Sequence, residues 1–270
     1  MPTEEEFRSI LIGENADLAR FRRVFRRVPA SPRCKLCLAP FEGPGGAILR
    51  HVGFARFAGN PAMCVNCVKD FRKSGVTGAE IPITLLFADI RGSTGIGERL
   101  EPREFKAFLD CFYRIASDVV LDHDGLVDKF VGDEVIGLFF GGVSGTNHAA
   151  AAIAAALDLA ERCDRADATP SGPIPLGTAV HFGTAYVGPS GPPGAVDDFT
   201  ALGDSVNTTA RLASEARAGE VLVSASAATE AGTAIDGAEQ RTLDIRGRQG
   251  TMDVFVLRPA ATVVTGAASA

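Results

Sequence analysis

Two carboxylates stand where carboxylates can hold cations. Asp89 ends the apolar run Leu85-Leu86-Phe87-Ala88 and precedes Ile90-Arg91-Gly92-Ser93-Thr94. That small, polar turn carries backbone N–H groups able to approach phosphate oxygens closely. Asp133 follows Gly132 between two β-like runs, Lys129-Phe130-Val131 and Val135-Ile136-Gly137-Leu138-Phe139. This is the pattern of a hairpin turn that presents its acid. Either acid alone has a simple structural use, capping a strand end or forming a turn. Together, beside a phosphate-friendly turn, they suit two Mg²⁺ or Mn²⁺ ions on a nucleoside triphosphate.

A second chemistry lies upstream, in Cys34-Lys35-Leu36-Cys37 and Cys64-Val65-Asn66-Cys67. Two Cys-x-x-Cys pairs offer four thiolates, the ligand set of a closed, structural zinc site. The same four thiolates suit iron in a rubredoxin-like site or an iron–sulfur cluster. Glycine and proline punctuate the interval between the pairs, so little local core exists to bury four unrelated thiols. Cys111 and Cys163 fall in helical patterns and read as ordinary buried thiols. His51, His123, His148 and His181 are scattered and receive no role.

A third segment runs from Asp198-Phe199-Thr200 through Gly203-Asp204-Ser205 to Leu212. Within it Asn207 and Arg211 lie one helical turn apart and share a face. In their order and separations, the three segments resemble the catalytic domain of the class III adenylate/guanylate cyclases, over residues 80–260. The resemblance implies that Asp89 and Asp133 hold two metal ions, with the Ile90 carbonyl as an additional oxygen ligand. It makes Asn207 a ribose-orienting group and Arg211 the cation on the α-phosphate, which a guanidinium fits bidentately. It places Lys129 against adenine N1 and Thr200 where an oxygen accepts from the exocyclic amine. Guanylate cyclases typically carry Glu and Cys at these two positions, so adenine is favoured. In Ile245-Arg246-Gly247-Arg248, Arg246 is preferred to Arg248 as the contact to the outer phosphates. The implied activity is adenylate cyclase, forming 3′,5′-cyclic AMP and pyrophosphate by attack of the ribose 3′-hydroxyl on the α-phosphate. In this family the carboxylates and the Lys/Thr/Asn/Arg set come from opposite subunits. One copy of each set here implies a head-to-tail homodimer.

The elements that position these residues follow from periodicity. Residues 4–28 carry apolar spacing of one helix, closed by Pro29 and Pro32. That spacing does not separate a helix packing on its own domain from one that dimerises. The expected organisation is an N-terminal helix over 1–33, a four-cysteine zinc module over 34–74, the cyclase domain over 80–260 and a tail over 261–270. Within the third unit, Ile83–Ala88, Gly125–Val131, Val135–Phe140 and Leu176–Val187 read as strands, with Pro102–Leu121 and Asn147–Cys163 as helices. Ser205–Arg217 reads as a helix, with later strands at Val221–Ser224, Arg241–Ile245 and Asp253–Leu257. The βαββαβ order predicts an α+β, ferredoxin-like palm.

Composition limits the alternatives. The chain has 270 residues, 46% hydrophobic and 22% charged, with a net charge of −6. These are values of a globular protein, and the acidic balance disfavours broad nucleic-acid binding. No apolar run reaches membrane-span length, and the acidic Met1–Glu6 lacks the layout of a signal peptide. A cytoplasmic protein with no membrane partner is expected, where stable disulfides are rare. A diguanylate-cyclase-like palm enzyme is one competing reading, but Val131-Gly132-Asp133-Glu134-Val135 lacks the first glycine and the phenylalanine of that signature. A non-enzymatic zinc-knuckle sensor that binds nucleic acid is another. Its support is the cluster Arg20, Arg22, Arg23, Arg26, Arg27 and Arg33.

Overall fold

The strand that ends in Asp89, β1 (Ala79–Ile90), runs through the centre of an eight-stranded sheet. In the computed structural model, residues 3–58, 60–73, 77–166, 172–190, 198–232, 235, 237–245 and 250–259 are described. Successive side chains of a strand point to opposite faces. Ile81, Ile83, Leu85 and Phe87 therefore enter one apolar cluster, and Leu86, Ala88 and Ile90 enter another.

β1 pairs antiparallel with β3 (Glu134–Phe139) on one side and β4 (Leu176–Ser190) on the other. β2 (Leu126–Val131) pairs with the outer edge of β3. With α6 (Pro102–Asp122) after β1 and α8 (His148–Asp164) after β3, this is the expected βαββαβ core in the order β2-β3-β1-β4. The sheet continues through β6 (Val221–Ser224), β8 (Thr251–Leu257) and β7 (Glu239–Asp244). β5 (Asp198–Leu202) pairs with the far end of β4. Helices α6, α8 and α10 (Ala225–Ala231) cover the face of Leu86 and Ala88.

The other face is covered by α9 (Asp204–Glu215) and by the N-terminal segment. The single helix expected over 4–28 is two, α1 (Glu4–Ile12) and α2 (Ala16–Phe25). Gly13 takes the left-handed conformation (φ 84°) and caps α1, while the Asn15 side chain accepts from the Leu18 N–H to start α2. Phe7 and Leu11 of α1 are buried in the cluster of Ile81 and Leu85. The backbone approach is close: a Cβ on Gly142 would stand 2.4 Å from the Ile10 carbonyl oxygen. The Cys-rich stretch, punctuated by glycine and proline, carries α3 (Gly43–Leu49) and the start of α4 (Val65–Lys73). Three of the clustered arginines bond inside the chain: Arg20 donates to Asp17 at 3.4 Å, Arg22 to the Gly142 carbonyl at 2.8 Å and Arg33 to the Phe25 carbonyl at 2.8 Å.

Glu220 pins the far edge of the sheet. Its carboxylate, 3% exposed, accepts from Arg241 on β7 at 3.0 Å and from Arg258, just past β8, at 2.7 Å. Hydrogen bonds from Arg241 and Arg258 hold it down from the ordinary 4.5 to about 2. A folded-state value below the unfolded one stabilises at neutral pH, and that stabilisation is lost as pH falls from about 4.5 toward about 2. Glu220→Gln is expected to cost about 3 kcal/mol at pH 7, because Arg241 and Arg258 lose a buried charged acceptor and keep only Glu239 between them. Urea unfolding of the two proteins should show that gap narrowing below pH 4.5; a constant gap would refute the ionic origin.

Candidate active site

Strand parity places Asp89 on the face opposite Leu86 and Ala88, the face covered by α9. Its cross-strand partner is Glu134, the first residue of β3. Asp133 stands in the turn between β2 and β3. That turn needs the positive φ of Gly132 (61°), and Tyr113 of α6 braces it by donating to the Gly132 carbonyl. The Ile90 N–H donates to the Asp133 carbonyl at 3.2 Å, which ties the end of β1 to the turn. Asp89, Ile90, Asp133 and Glu134 thus converge, although the sequence reading assigned nothing to Glu134.

Three carboxylates in one small space resist being ionised together. Burial, opposed by Arg91 and reinforced by the charge of Asp133, pushes Asp89 up to about 6. Burial and the charges of Asp89 and Asp133 push Glu134 up to about 7. Arg91 forms an ion pair with Asp89 and also donates to the Ser214 carbonyl, in the last turn of α9, at 3.1 Å. A cluster of hard oxygen donors whose charges need compensation fits Mg²⁺ or Mn²⁺.

The remaining predicted residues fall into two groups. Lys129 lies on β2 beside Asp128, with its Nζ 3.6 Å from Asp128 Oδ1. Thr200 lies on β5, is 3% exposed, and donates its hydroxyl to Asp128 Oδ2 at 2.8 Å. Asp128 therefore joins the two purine-facing candidates. Segment Asp198–Leu202, given no element by periodicity, is a strand. Asn207 is exposed and Arg211 half-buried on α9, and among the described residues neither side chain bonds to the carboxylate group. Arg246 and Arg248 lie outside the described residues.

The four cysteines of the paired motifs meet. Their sulfurs all lie within 4.8 Å of one another, with Cys34–Cys67 at 3.8 Å and Cys37–Cys64 at 3.7 Å. A zinc tetrahedron with bonds of about 2.3 Å spaces its sulfurs by about 3.8 Å. Backbone N–H groups also point at the sulfurs, Cys64 to Cys34 at 3.3 Å and Cys67 to Cys64 at 3.4 Å. Hydrogen bonds from Cys37, Cys64 and Cys67 hold the Cys34 thiol below its ordinary value, while hydrogen bonding within the same cluster pushes Cys37 and Cys67 up. Four sulfurs at this spacing suit a divalent ion as tetrahedral ligands. Cys163 is buried apart from it, pushed up to about 12 by burial.

The cluster is joined to strands β2 and β5. Asn60 donates to the Val127 carbonyl on β2 at 3.2 Å, and Phe71 of α4 stacks on Phe199 of β5 with centroids 5.6 Å apart. Lys35, between the first two cysteines, pairs with Asp124 at 2.7 Å just before β2.

Known proteins share the sequence pattern and the fold of residues 78–259. The sequence model of the Adenylate and Guanylate cyclase catalytic domain matches residues 78–259. Adenylate cyclase 1 of Rhizobium meliloti (strain 1021) is 31% identical over 199 residues, covering 69% of this chain and 30% of that protein. The chain spans about a third of the length of the relatives it matches by sequence. The crystal structure of the guanylyl cyclase Cya2 superposes with a TM-score of 0.63 at 25% identity, over 70% of this chain and 98% of that one. The adenylyl cyclase CyaB from P. aeruginosa superposes at 0.60 and 25% identity, over 69% and 98%. Similarity therefore extends to proteins named for either nucleotide. Among the described residues no helix is long and apolar enough to cross a membrane.

Proposed function

Because the chain belongs to the adenylate and guanylate cyclase catalytic domain family, we propose that it converts ATP to 3′,5′-cyclic AMP and pyrophosphate. The observation that carries this reading is the meeting of Asp89, Asp133 and Glu134, where burial opposes charge on Asp89 and Glu134, in the chain that also places Lys129 on the adjoining strand. Asp89 and Asp133 would hold the two divalent ions, with the Ile90 carbonyl beside them. When bound, those ions lower the pKa of the ribose 3′-hydroxyl and neutralise charge on the phosphates. Lys129 is a donor only, which matches adenine N1 and opposes the N1–H of guanine. Arg211 holds the α-phosphate through its guanidinium fork, and Asn207 orients the ribose.

Both α9 residues act across a twofold axis, from a second copy of the chain. Two apolar side chains support a partner surface at the site: Val131, beside the Asp133 turn, is 52% exposed, and Leu202, beside α9, is 57% exposed. The direct test supplies ATP and GTP with Mg²⁺ or Mn²⁺ and identifies products by mass. Cyclic AMP from ATP is expected. Cyclic GMP as the main product would transfer the assignment to guanylate cyclase, and no cyclic product from either would refute the activity.

The cysteine quartet is assigned to structural zinc on its sulfur spacing. Purified protein is expected to carry about one zinc per chain, and Cys34→Ser to release it, since each thiolate is one of four ligands. The same variant should loosen the grip of Asn60 and Phe71 on β2 and β5. Elemental analysis that finds iron, or no metal, would overturn the zinc assignment.

A further inference from the structure

Residues 128 and 129 are neighbours on a strand and should face opposite ways. The β2–β3 register shifts between Val127, opposite Gly137, and Lys129, opposite Ile136, which leaves Asp128 as the extra residue of a bulge. A bulge re-aims side chains. Here it lets Asp128 turn inward to β5 while one of its oxygens still reaches Lys129. The Asp128 side chain is 2% exposed against 36% for Lys129. Thr200 is 3% exposed, and its one proton is committed to Asp128 Oδ2 at 2.8 Å. Of the three residues, only Lys129 presents substantial surface to a ligand.

We propose that Thr200 and Asp128 are positioning residues that form a buried relay, Thr200 to Asp128 to Lys129, and that select the purine by fixing the Lys129 ammonium rather than by touching the base. The carboxylate accepts the Thr200 hydrogen bond through Oδ2 and draws the Lys129 ammonium to Oδ1 by charge at 3.6 Å, donating to neither, so the relay has one polarity. Thr200 removes one degree of freedom from the Asp128 carboxylate. Asp128 in turn holds a flexible lysine whose free ammonium would sample many rotamers. The ligand class selected is a purine with a hydrogen-bond acceptor at N1. This rests on the proposed cyclase reading, in which Lys129 meets that nitrogen.

The relay and a direct contact make opposite predictions with substrate analogues. Purine riboside 5′-triphosphate lacks the 6-amino group and keeps N1. 1-Deazaadenosine 5′-triphosphate keeps the amino group and lacks N1. Wild type, Thr200→Val, Asp128→Asn and the double variant would be assayed on ATP and both analogues. Each single substitution is expected to lower kcat/KM for ATP about tenfold, mainly through KM, as for loss of a hydrogen bond to a charged group. The double variant should fall no further than the worse single one, because both substitutions break the same chain of contacts. The loss should persist with purine riboside triphosphate and vanish with the 1-deaza analogue. Thr200→Ser keeps the hydroxyl and should match wild type; if Asp128→Asn does not fold, the two Thr200 variants decide the question.

A Thr200→Val loss that disappears with purine riboside triphosphate would show direct contact with the amine and overturn the relay. Equal losses with all three substrates would also overturn it, as general damage to the site. Wild-type protein that makes no cyclic AMP would remove the cyclase reading itself, and the relay with it, a result distinct from either of these.

Discussion

Asp133→Ala is expected to abolish nearly all cyclic AMP formation, by about three orders of magnitude or more, while leaving the fold intact. The size follows from the several kcal/mol that metal-assisted charge stabilisation contributes, at about 1.36 kcal/mol per tenfold. The intact fold follows from the location of the residue. The turn is shaped by the positive φ of Gly132 and held by Tyr113, and its bond to Ile90 uses the Asp133 backbone carbonyl. None of these needs the Asp133 carboxylate. Its loss also removes one of the like charges that oppose ionisation of Asp89 and Glu134, so stability should hold or rise slightly. Asp89→Ala should show the same loss of turnover. The check is product formation beside a thermal melt. A well-folded Asp133→Ala protein with near-normal turnover would sink the assignment of this carboxylate cluster.

Restoration of activity by mixing two inactive proteins is the second large effect. Asp89→Ala removes a carboxylate of β1, and Arg211→Ala removes the guanidinium of α9. Each homodimer has two defective sites. A heterodimer has one site with both defects and one with neither, provided each site takes Asp89 from one chain and Arg211 from the other. Random exchange makes half the dimers heterodimers, so about a quarter of wild-type activity should return. The fold favours this arrangement. Within one chain the side chain of Arg91, not Arg211, pairs with Asp89, and Arg91 itself spans to the last turn of α9. Asn207 stands exposed on the same helix. Heterodimers demonstrated by differential tagging, yet still inactive, would count against a shared site.

Much of this site was legible in the chain because its determinants are local. An apolar run closed by an acid defines β1 and Asp89, and strand alternation assigns Asp89 to the face opposite Leu86 and Ala88. Gly132-Asp133 between two β-like runs defines the hairpin. The two Cys-x-x-Cys pairs announce their meeting through spacing alone, and the sulfurs do meet. The βαββαβ order was readable for the same reason, since each element carries its own period.

What failed locally was decided by distant partners. The helix over 4–28 breaks at Gly13 although its apolar spacing continues, because the break lets α1 lie against Gly141 and Gly142. Asp198–Leu202 becomes a strand because β4 runs on past its pairing with β6, which ends at Val180, and offers an edge to pair with.

Residue types and their local spacing determined the fold class, the carboxylate pair, the Asn207/Arg211 face and the cysteine quartet, because short-range sterics and periodicity are written in neighbouring residues. Only the tertiary structure could bring Thr200 to Asp128, across 72 positions, or set Glu134 against Asp89 and lift both carboxyls toward neutrality. Burial and charge–charge repulsion depend on what the fold packs around a group, and a residue's own neighbours in sequence do not carry that information.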